Sequence, residues 1–142
     1  MPNQDRLHPV VRRALEKAGW TIMKEQVALA LGTPQEITRR LYIDLQARSS
    51  TGQIALIEVK GIASSPVHEL MELIGQYLVY RAALDFLGHT MPLYVALPVE
   101  TYEAIVEHLL GQTVINTMLK TPIPFVLYDP DHEEIVRWIP PL

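Results

Sequence analysis

A chain of 142 residues that is 49% hydrophobic is long enough to bury its own core, and we expect one domain over residues 1–142. The lack of cysteine excludes disulfides and thiolate metal sites. A net charge of −4, with only 12 lysines and arginines, excludes the strongly basic surface typical of a free-standing DNA-binding domain. Because the sequence contains neither a signal peptide pattern nor an apolar run of about 18 residues, we expect a cytoplasmic protein without a membrane segment.

The N-terminal part of the sequence predicts one helix followed by extended segments. Apolar residues at helical spacing predict a helix over residues 9–18, ended by Gly19. Residues 20–22 and 27–31 are apolar enough to predict two short extended segments. Trp20 is expected in the core rather than as a platform for a nucleic acid base.

The two apolar runs that follow each carry an acidic residue near their end. Asp44 lies within Tyr42-Ile43-Asp44-Leu45, and the next run ends in Glu58-Val59-Lys60. Side chains alternate along a strand, so Glu58 and Lys60 point the same way. Residues 48–53 are rich in turn formers and predict a hairpin that returns Glu58 close to Asp44.

Two adjacent carboxylates with an ammonium group nearby suit a hard divalent cation. Mg²⁺ or Mn²⁺ is expected between Asp44 and Glu58, together with the backbone carbonyl of Val59 and water. Such an ion activates a bound water and stabilises phosphoryl oxygens, and Lys60 lies within reach of that water. The alternative is that Glu58 and Lys60 form an exposed ion pair that contributes little.

A long helix is predicted over residues 67–87, after Ser64-Ser65-Pro66, which supplies an N-cap and a proline at the first position. Glu69, Gln76 and Tyr80 lie along the edge of its apolar face. Since Gln76 and Tyr80 are one turn apart, they can reach a cleft beside the sheet together. An ordinary amphipathic helix with a polar edge explains the same pattern.

The C-terminal part of the sequence predicts alternating helices and strands. A buried strand is expected over 93–97, short helices over 101–110 and 112–119, and a hairpin from 125–128 to 134–138. With the preceding elements this predicts an α/β fold, a mixed sheet of at least four strands with helices packed on it.

Residues near the N-terminus are weaker candidates for the same site. Glu16 is a possible extra acid, but its helical phase predicts a surface pair with Arg12. Asp5, His8 and Arg12 share a stripe that either approaches the site or only forms a charged face at the start of the helix.

Several segments in combination resemble the XisH family, called fdxN element excision controlling factors. They are residues 13–22, 42–45, 57–60, 75–81 and 128–138. The pattern Asp44 … Glu58-Val59-Lys60 also resembles the PD-(D/E)xK nuclease superfamily, with Ile43 in place of the proline. Many of those nucleases carry a Gln-x-x-x-Tyr pair, which Gln76 and Tyr80 match.

The resemblance implies a restriction-endonuclease-like core, a mixed β-sheet flanked by helices. It also implies a role in programmed excision of a DNA element in nitrogen-fixing photosynthetic bacteria, beside a site-specific recombinase. Proteins of this kind are commonly encoded next to a small XisI-type partner. The negative net charge predicts weak DNA binding by a monomer, so a partner or a homo-oligomer is expected to supply the affinity for DNA.

Three functions remain open from the sequence. The first is a metal-dependent deoxyribonuclease in which Asp44, Glu58, Lys60, Gln76 and Tyr80 are catalytic. The second is an accessory factor without catalysis that binds the partner or DNA. The third is a toxin-like nuclease held inactive by its partner.

Overall fold

The computed structural model describes residues 4–33, 35–61 and 65–142, and the side chains of residues 4, 5 and 37–39 lie outside that description. Within the described residues the helices are α1 (Gln4–Lys17), α2 (Pro66–Phe86), α3 (Val99–Ile105), α4 (Leu109–Gln112) and a π-helix (Thr113–Met118). The strands are β1 (Thr21–Gly32), β2 (Ile37–Arg48), β3 (Ile54–Val59), β4 (Leu93–Pro98), β5 (Phe125–Asp129) and β6 (Glu134–Ile139). None of the helices within these ranges is long and apolar enough to cross a membrane.

The six described strands form one mixed sheet in the order β1-β2-β3-β4-β5-β6. The pairs β1/β2, β2/β3 and β5/β6 are antiparallel, whereas β3/β4 and β4/β5 are parallel. Each parallel pair requires a crossover, and α2 and the α3–α4–π segment supply the two crossovers. This mixed α/β architecture confirms the predicted fold class and is consistent with a restriction-endonuclease-like core.

Helices cover both faces of the sheet because the side chains of the central strands alternate between two cores. On one face α1 packs through Val11 and Leu15 against a cluster that includes Ile57 and Val59. On the other face α2 packs through Leu73, Tyr77 and Leu84 against a cluster that includes Leu56 and Phe125. The central strands are therefore apolar on both sides, and the charged residues near their ends are exceptions to this pattern.

The N-terminal elements are longer than the sequence predicts. Helix α1 begins at Gln4 instead of residue 9, because buried Leu7 anchors a turn before Pro9. The two extended segments join into the single strand β1, which includes residues 23–26 between them, with a register irregularity near Met23 and a positive φ of 52° at Gln26. Trp20 is buried as expected, and its ring lies 5.0 Å from that of Trp138.

The helices predicted over 101–110 and 112–119 are wrong in their bounds. The chain instead breaks after α3 and continues as α4 and the π-helix. Gly111 explains the break, because a Cβ there would meet the carbonyl oxygens of Ile105 and Val106. Helix α2 matches its prediction closely: Ser65 is the N-cap and its Oγ accepts from the N–H of His68 at 3.4 Å, while Ser64 lies outside the described residues.

Candidate functional site

The β2–β3 hairpin places the carboxyl groups of Asp44 and Glu58 against each other. The antiparallel pairing of β2 with β3 ends at Leu45 and Ile57, and Asp44 and Glu58 are the adjoining residues of the two strands. The N–H of Asp44 donates to Oε1 of Glu58 at 3.2 Å, and the N–H of Val59 donates to Oδ2 of Asp44 at 2.8 Å. Both side chains are buried. The predicted adjacency of the two acidic strands is therefore confirmed.

Burial of two carboxyl groups together changes the protonation of Glu58. Burial raises the pKa of Glu58 to about 8, and the charge of Asp44 and a hydrogen bond to it act in the same direction. The ammonium of Lys60 opposes this rise in pKa but does not cancel it. Ionising both carboxyl groups is therefore costly in the free protein, and a bound cation would offset that cost.

Lys60 follows β3 directly, and its side chain is held by helix α2. Its backbone N–H donates to the carbonyl of Ala96 at 3.1 Å, which continues the pairing with β4. Its Nζ donates to Oε1 of Gln76 at 2.7 Å and lies 3.7 Å from Oε1 of Glu69. Burial raises the pKa of Glu69, and the charge of Lys60 opposes that rise. The lysine is therefore positioned by two side chains that belong to one helix.

Tyr80 brings a hydroxyl group to the same acidic pair. It lines the same cleft as Glu58 and Asp44, and burial together with the charges of these two residues raises the pKa of Tyr80 to about 12. The polar edge of α2 predicted from the sequence therefore faces the cleft. Gln76 bonds to Lys60 and Tyr80 lines the cleft with Asp44 and Glu58, so the structure brings together the five side chains that the sequence singled out.

His8 joins the cleft from helix α1. Its Nδ1 lies 4.0 Å from Oδ1 of Asp44, and its Nε2 lies 2.8 Å from Oε1 of Glu25 on β1. Arg12, one turn further on, pairs with Glu25 at 3.2 Å. The sequence left open whether the charged stripe of α1 approaches the site or only forms a charged face at the start of the helix. The structure supports the first interpretation for His8.

Glu16, the possible extra acid from α1, does not join this group. Glu16 forms the predicted surface pair with Arg12, with Nε and Oε1 3.8 Å apart. The side chain of Asp5 lies outside the described residues.

The acidic pair opens into a cleft of about 620 Å³. Its lining residues come from α1, α2 and the first three strands: His8, Pro9, Glu25, Gln26, Tyr42, Asp44, Glu58, Gln76 and Tyr80. Sequence reasoning missed Glu25 and Gln26 because they lie between the two extended segments that it predicted. Glu69 was noticed only as part of a helix edge, and its contact with Lys60 requires the folded chain.

The residues present fit a hard divalent cation that uses few protein ligands. Within the described ranges, no group of three or more His, Cys, Asp or Glu side chains is spaced to hold a metal ion. Two carboxylates suffice for Mg²⁺, which keeps several waters as ligands. The carbonyl of Val59 as a further ligand stays a prediction.

The fold and the cleft define a mixed α/β protein with a paired-carboxylate site, and its architecture is consistent with a restriction-endonuclease-like core. Residues 1–136 match the family model described as XisH protein, and the chain belongs to the XisH family.

Two crystal structures resemble the whole chain. An XisH family protein from Nostoc punctiforme PCC 73102 is 27% identical, with a TM-score of 0.76 over 93% of this chain and 97% of that one. A fdxN element excision controlling factor protein from Anabaena variabilis is 29% identical, with a TM-score of 0.78 over 95% of this chain and 98% of that one. No curated protein matches the chain significantly.

Proposed function

We propose that this XisH-family protein is a divalent-metal-dependent deoxyribonuclease of the PD-(D/E)xK type. The observation that carries the proposal is the buried contact between Asp44 on β2 and Glu58 on β3. Lys60 follows β3 directly, two residues after Glu58. Burial and then the charge of Asp44 raise the pKa of Glu58 to about 8, and a cation between the two carboxyl groups would offset the cost of ionising both.

Mg²⁺ or Mn²⁺ in this cleft would lower the pKa of a water and neutralise charge on a phosphate. Asp44, Glu58 and the carbonyl of Val59 are the proposed ligands. Backbone N–H groups hold both carboxyl groups, that of Asp44 donating to Glu58 and that of Val59 donating to Asp44, which limits the orientations open to these ligands. Preorganised ligands of this kind reduce the reorganisation needed when substrate arrives.

Lys60 is the residue proposed to act on the phosphate and the attacking water. Its ammonium stabilises the charge that builds on the phosphate oxygens as the bond to the leaving oxygen breaks. Gln76 orients this ammonium through the 2.7 Å hydrogen bond. A cation held in place contributes more than a mobile one, since its side-chain entropy is already lost before substrate binds.

The family supports DNA as the substrate. The Anabaena variabilis neighbour is named a fdxN element excision controlling factor, and we propose that this chain also acts in excision of a DNA element. In that setting a site-specific recombinase and a small XisI-type protein are the proposed partners. A net charge of −4 makes a partner or an oligomer necessary for firm contact with phosphates.

One observation favours a second candidate, an accessory factor that binds DNA or a partner without cutting. Lys60 is buried and already engaged by Glu69 and Gln76, as a purely structural lysine would be. In that case the charged cluster would stabilise the fold and no cleavage would occur.

The deciding experiment incubates the purified chain, alone and with an XisI-type partner, with supercoiled, linear and single-stranded DNA. Each DNA is tested with Mg²⁺, with Mn²⁺ and with EDTA. Cleavage that Asp44→Asn abolishes and Glu16→Gln leaves intact supports the nuclease, because Glu16 is a surface acid of the same chain. No cleavage under any of these conditions, in protein that still binds Mn²⁺, would favour the accessory factor.

A further inference from the structure

A tyrosine is exposed at the edge of the cleft that contains the acidic pair. Tyr42 is 45% exposed and lines this cleft together with Asp44, two residues further along β2. Side chains alternate along a strand, so the two residues lie on the same face of β2. Leu41 and Ile43, on the opposite face of the strand, pack in the core cluster that α2 covers. The ring of Tyr42 is therefore held at the cleft by a strand that is anchored in the core.

The neighbouring strand leaves Tyr42 uncovered. In the antiparallel register of β1 and β2, Ala28 lies opposite Tyr42 and Ala30 lies opposite Arg40. Both alanines are exposed, and each presents only a methyl group beside its larger partner. Directly opposed residues are the closest side-chain neighbours on one face of an antiparallel pair. No large side chain of β1 is therefore opposed to the ring, which keeps an open surface beside the acidic pair.

This part of the sheet also carries a positive charge at some distance from the acidic pair. Arg40 is exposed and lies on the same face of β2 as Tyr42, four residues before Asp44. At about 3.3 Å per residue, four residues span about 13 Å of the strand. Four stacked nucleotides, at about 3.4 Å each, span nearly the same length. A nucleic acid strand with one phosphate at the acidic pair therefore brings another phosphate to Arg40.

The α1 side of the cleft is less suited to a phosphate chain. Arg12 on that side pairs with Glu16 at 3.8 Å and with Glu25 at 3.2 Å. A phosphate that took Arg12 as its partner would separate it from these carboxylates and lie beside their negative charges. This arrangement favours a path over β2 and Arg40 instead.

We propose that the outer face of β1 and β2 is a platform for single-stranded DNA that leads into the cleft. The platform consists of Tyr42, Arg40, Ala28 and Ala30, and the choice of DNA as its ligand rests on the proposed nuclease function. One base stacks on Tyr42 beside the phosphate at the acidic pair, and a phosphate further along the strand contacts Arg40. Aromatic stacking and cationic contacts to the backbone are the two features that single-strand binding sites share.

Stacking on Tyr42 requires a nucleotide that is not base-paired. In a duplex each base is covered by its neighbours, so it reaches a protein ring only after it has been unpaired and unstacked, which costs free energy. Asp44 and Glu58 are 8% and 5% exposed, so a phosphate must also enter a recess to reach them. An unpaired strand meets both requirements at the lowest cost. Single-stranded DNA, or duplex opened at that nucleotide, is therefore the preferred substrate.

The first test measures binding without cleavage. A fluorescein-labelled strand of 12 nucleotides, alone or annealed to its complement, is titrated with the full chain at low salt in EDTA, which removes the metal that cleavage would need (the length is about three times the span from Asp44 to Arg40). Fluorescence anisotropy gives the two affinities. Wild type should bind the single strand at least about fivefold more tightly than the duplex, since each stacked base contributes about that factor or more.

Variants of Tyr42 test whether its ring supplies this preference. Tyr42→Ala should weaken single-strand binding at least about fivefold and leave duplex binding unchanged, whereas Tyr42→Phe should match wild type because the ring stacks and the hydroxyl does not. Phe86→Ala is the matched control, because Phe86 is 77% exposed and belongs to α2. Tyr42→Leu replaces Tyr42→Ala if circular dichroism shows that the alanine variant misfolds.

Two further readouts locate the strand on the platform. A 2-aminopurine base loses fluorescence when it stacks on an aromatic ring, so wild type and Tyr42→Phe should quench it more strongly than Tyr42→Ala. Arg40→Ala should lower the slope of log affinity against log salt for the single strand by about 0.7, as loss of one phosphate contact predicts. Arg137→Ala removes the same charge from β6, at the opposite edge of the sheet, and should leave the slope unchanged.

A cleavage assay separates failure of the platform from failure of the nuclease function. If the chain cuts DNA, it should cut the single strand faster than the duplex, and Tyr42→Ala should remove that difference. Single-strand binding that depends on Tyr42, in a protein that never cleaves, would support the platform and reject the nuclease. Equal affinity of wild type for the two DNA forms, equal single-strand affinity of Tyr42→Ala and Phe86→Ala, or cleavage of both forms at one rate would each overturn the platform, and the last result would leave the nuclease function standing.

Discussion

Lys60 and Gln76 are joined by a 2.7 Å hydrogen bond between Nζ and Oε1, which links the end of β3 to the middle of α2. The bond fixes the ammonium beside the acidic pair and makes the helix part of the site. Because Gln76 and Tyr80 are one turn apart, a small shift of α2 moves both side chains relative to the acidic pair.

Lys60→Met should separate metal binding from cleavage. The ammonium acts on water and phosphate, so cleavage should fall by at least about 100-fold while Mn²⁺ binding persists. Calorimetry with Mn²⁺ and a plasmid cleavage assay on the same preparation test this. Asp44→Asn is the contrasting variant and should lose both properties. Loss of Mn²⁺ binding in Lys60→Met would mean that the lysine supports the fold of the ligands instead.

Gln76→Ala should reduce cleavage without removing it. Lys60 keeps its contact with Glu69 but loses the hydrogen bond that orients it, so we expect a fall of about 10- to 100-fold in turnover. Substrate affinity and Mn²⁺ binding should change little. Glu72→Ala is the matched control, because Glu72 is an exposed residue of the same helix. Equal cleavage activity of Gln76→Ala and wild type would show that Gln76 has no role in the reaction.

Glu58 should make the metal-free protein less stable as the pH rises. Its pKa is about 8 in the folded chain against 4.5 as the ordinary value, so the folded state binds more protons between these pH values. The contribution of Glu58 to the free energy of unfolding is therefore fully present below pH 4.5 and is lost as the pH rises through about 8.

Glu58→Gln should remove this dependence, because the amide does not ionise. We expect the free energy of unfolding of wild type in EDTA to fall by on the order of 3 kcal/mol relative to that of Glu58→Gln across that pH window. Urea unfolding at several pH values measures the difference. Glu103→Gln, at an exposed acid of α3, is the control and should follow wild type. Parallel curves for wild type and Glu58→Gln would contradict the raised pKa.

Metal binding should release a proton and strengthen with pH. At neutral pH the raised pKa keeps Glu58 largely protonated, and a cation must displace that proton. Apparent Mn²⁺ affinity should therefore rise by about tenfold per pH unit below about pH 8 and level off above it. Calorimetry in buffers of different ionisation enthalpy counts the protons. A pH-independent affinity would exclude Glu58 as a ligand.

DNA binding by the chain alone should be weak and should fall with rising salt. With a net charge of −4, contact with phosphates depends on a few arginines, and counterion release supplies the affinity. Gel shifts over a salt series measure both the affinity and its dependence on salt. Tight, salt-insensitive binding by a monomer would contradict this expectation.

Much of the site was predictable because its central contact is local. Asp44 and Glu58 are joined by one short hairpin, and strand alternation places Glu58 and Lys60 on one side. Helical periodicity likewise placed Gln76 and Tyr80 on one edge of α2. The bounds of α3 and α4 were not predictable, since the break depends on how closely Gly111 packs against Ile105.

The sequence by itself determined the two-acid hairpin, the mixed α/β class and the polar edge of α2, because alternation, turn residues and helical spacing act between near neighbours. Only the tertiary structure decided that His8 lies beside Asp44 and Glu25, and that Glu69 is buried against Lys60. Those contacts join separate helices and strands. They form only when the packing of α1 and α2 on opposite faces of the sheet offsets the entropy of bringing distant segments together.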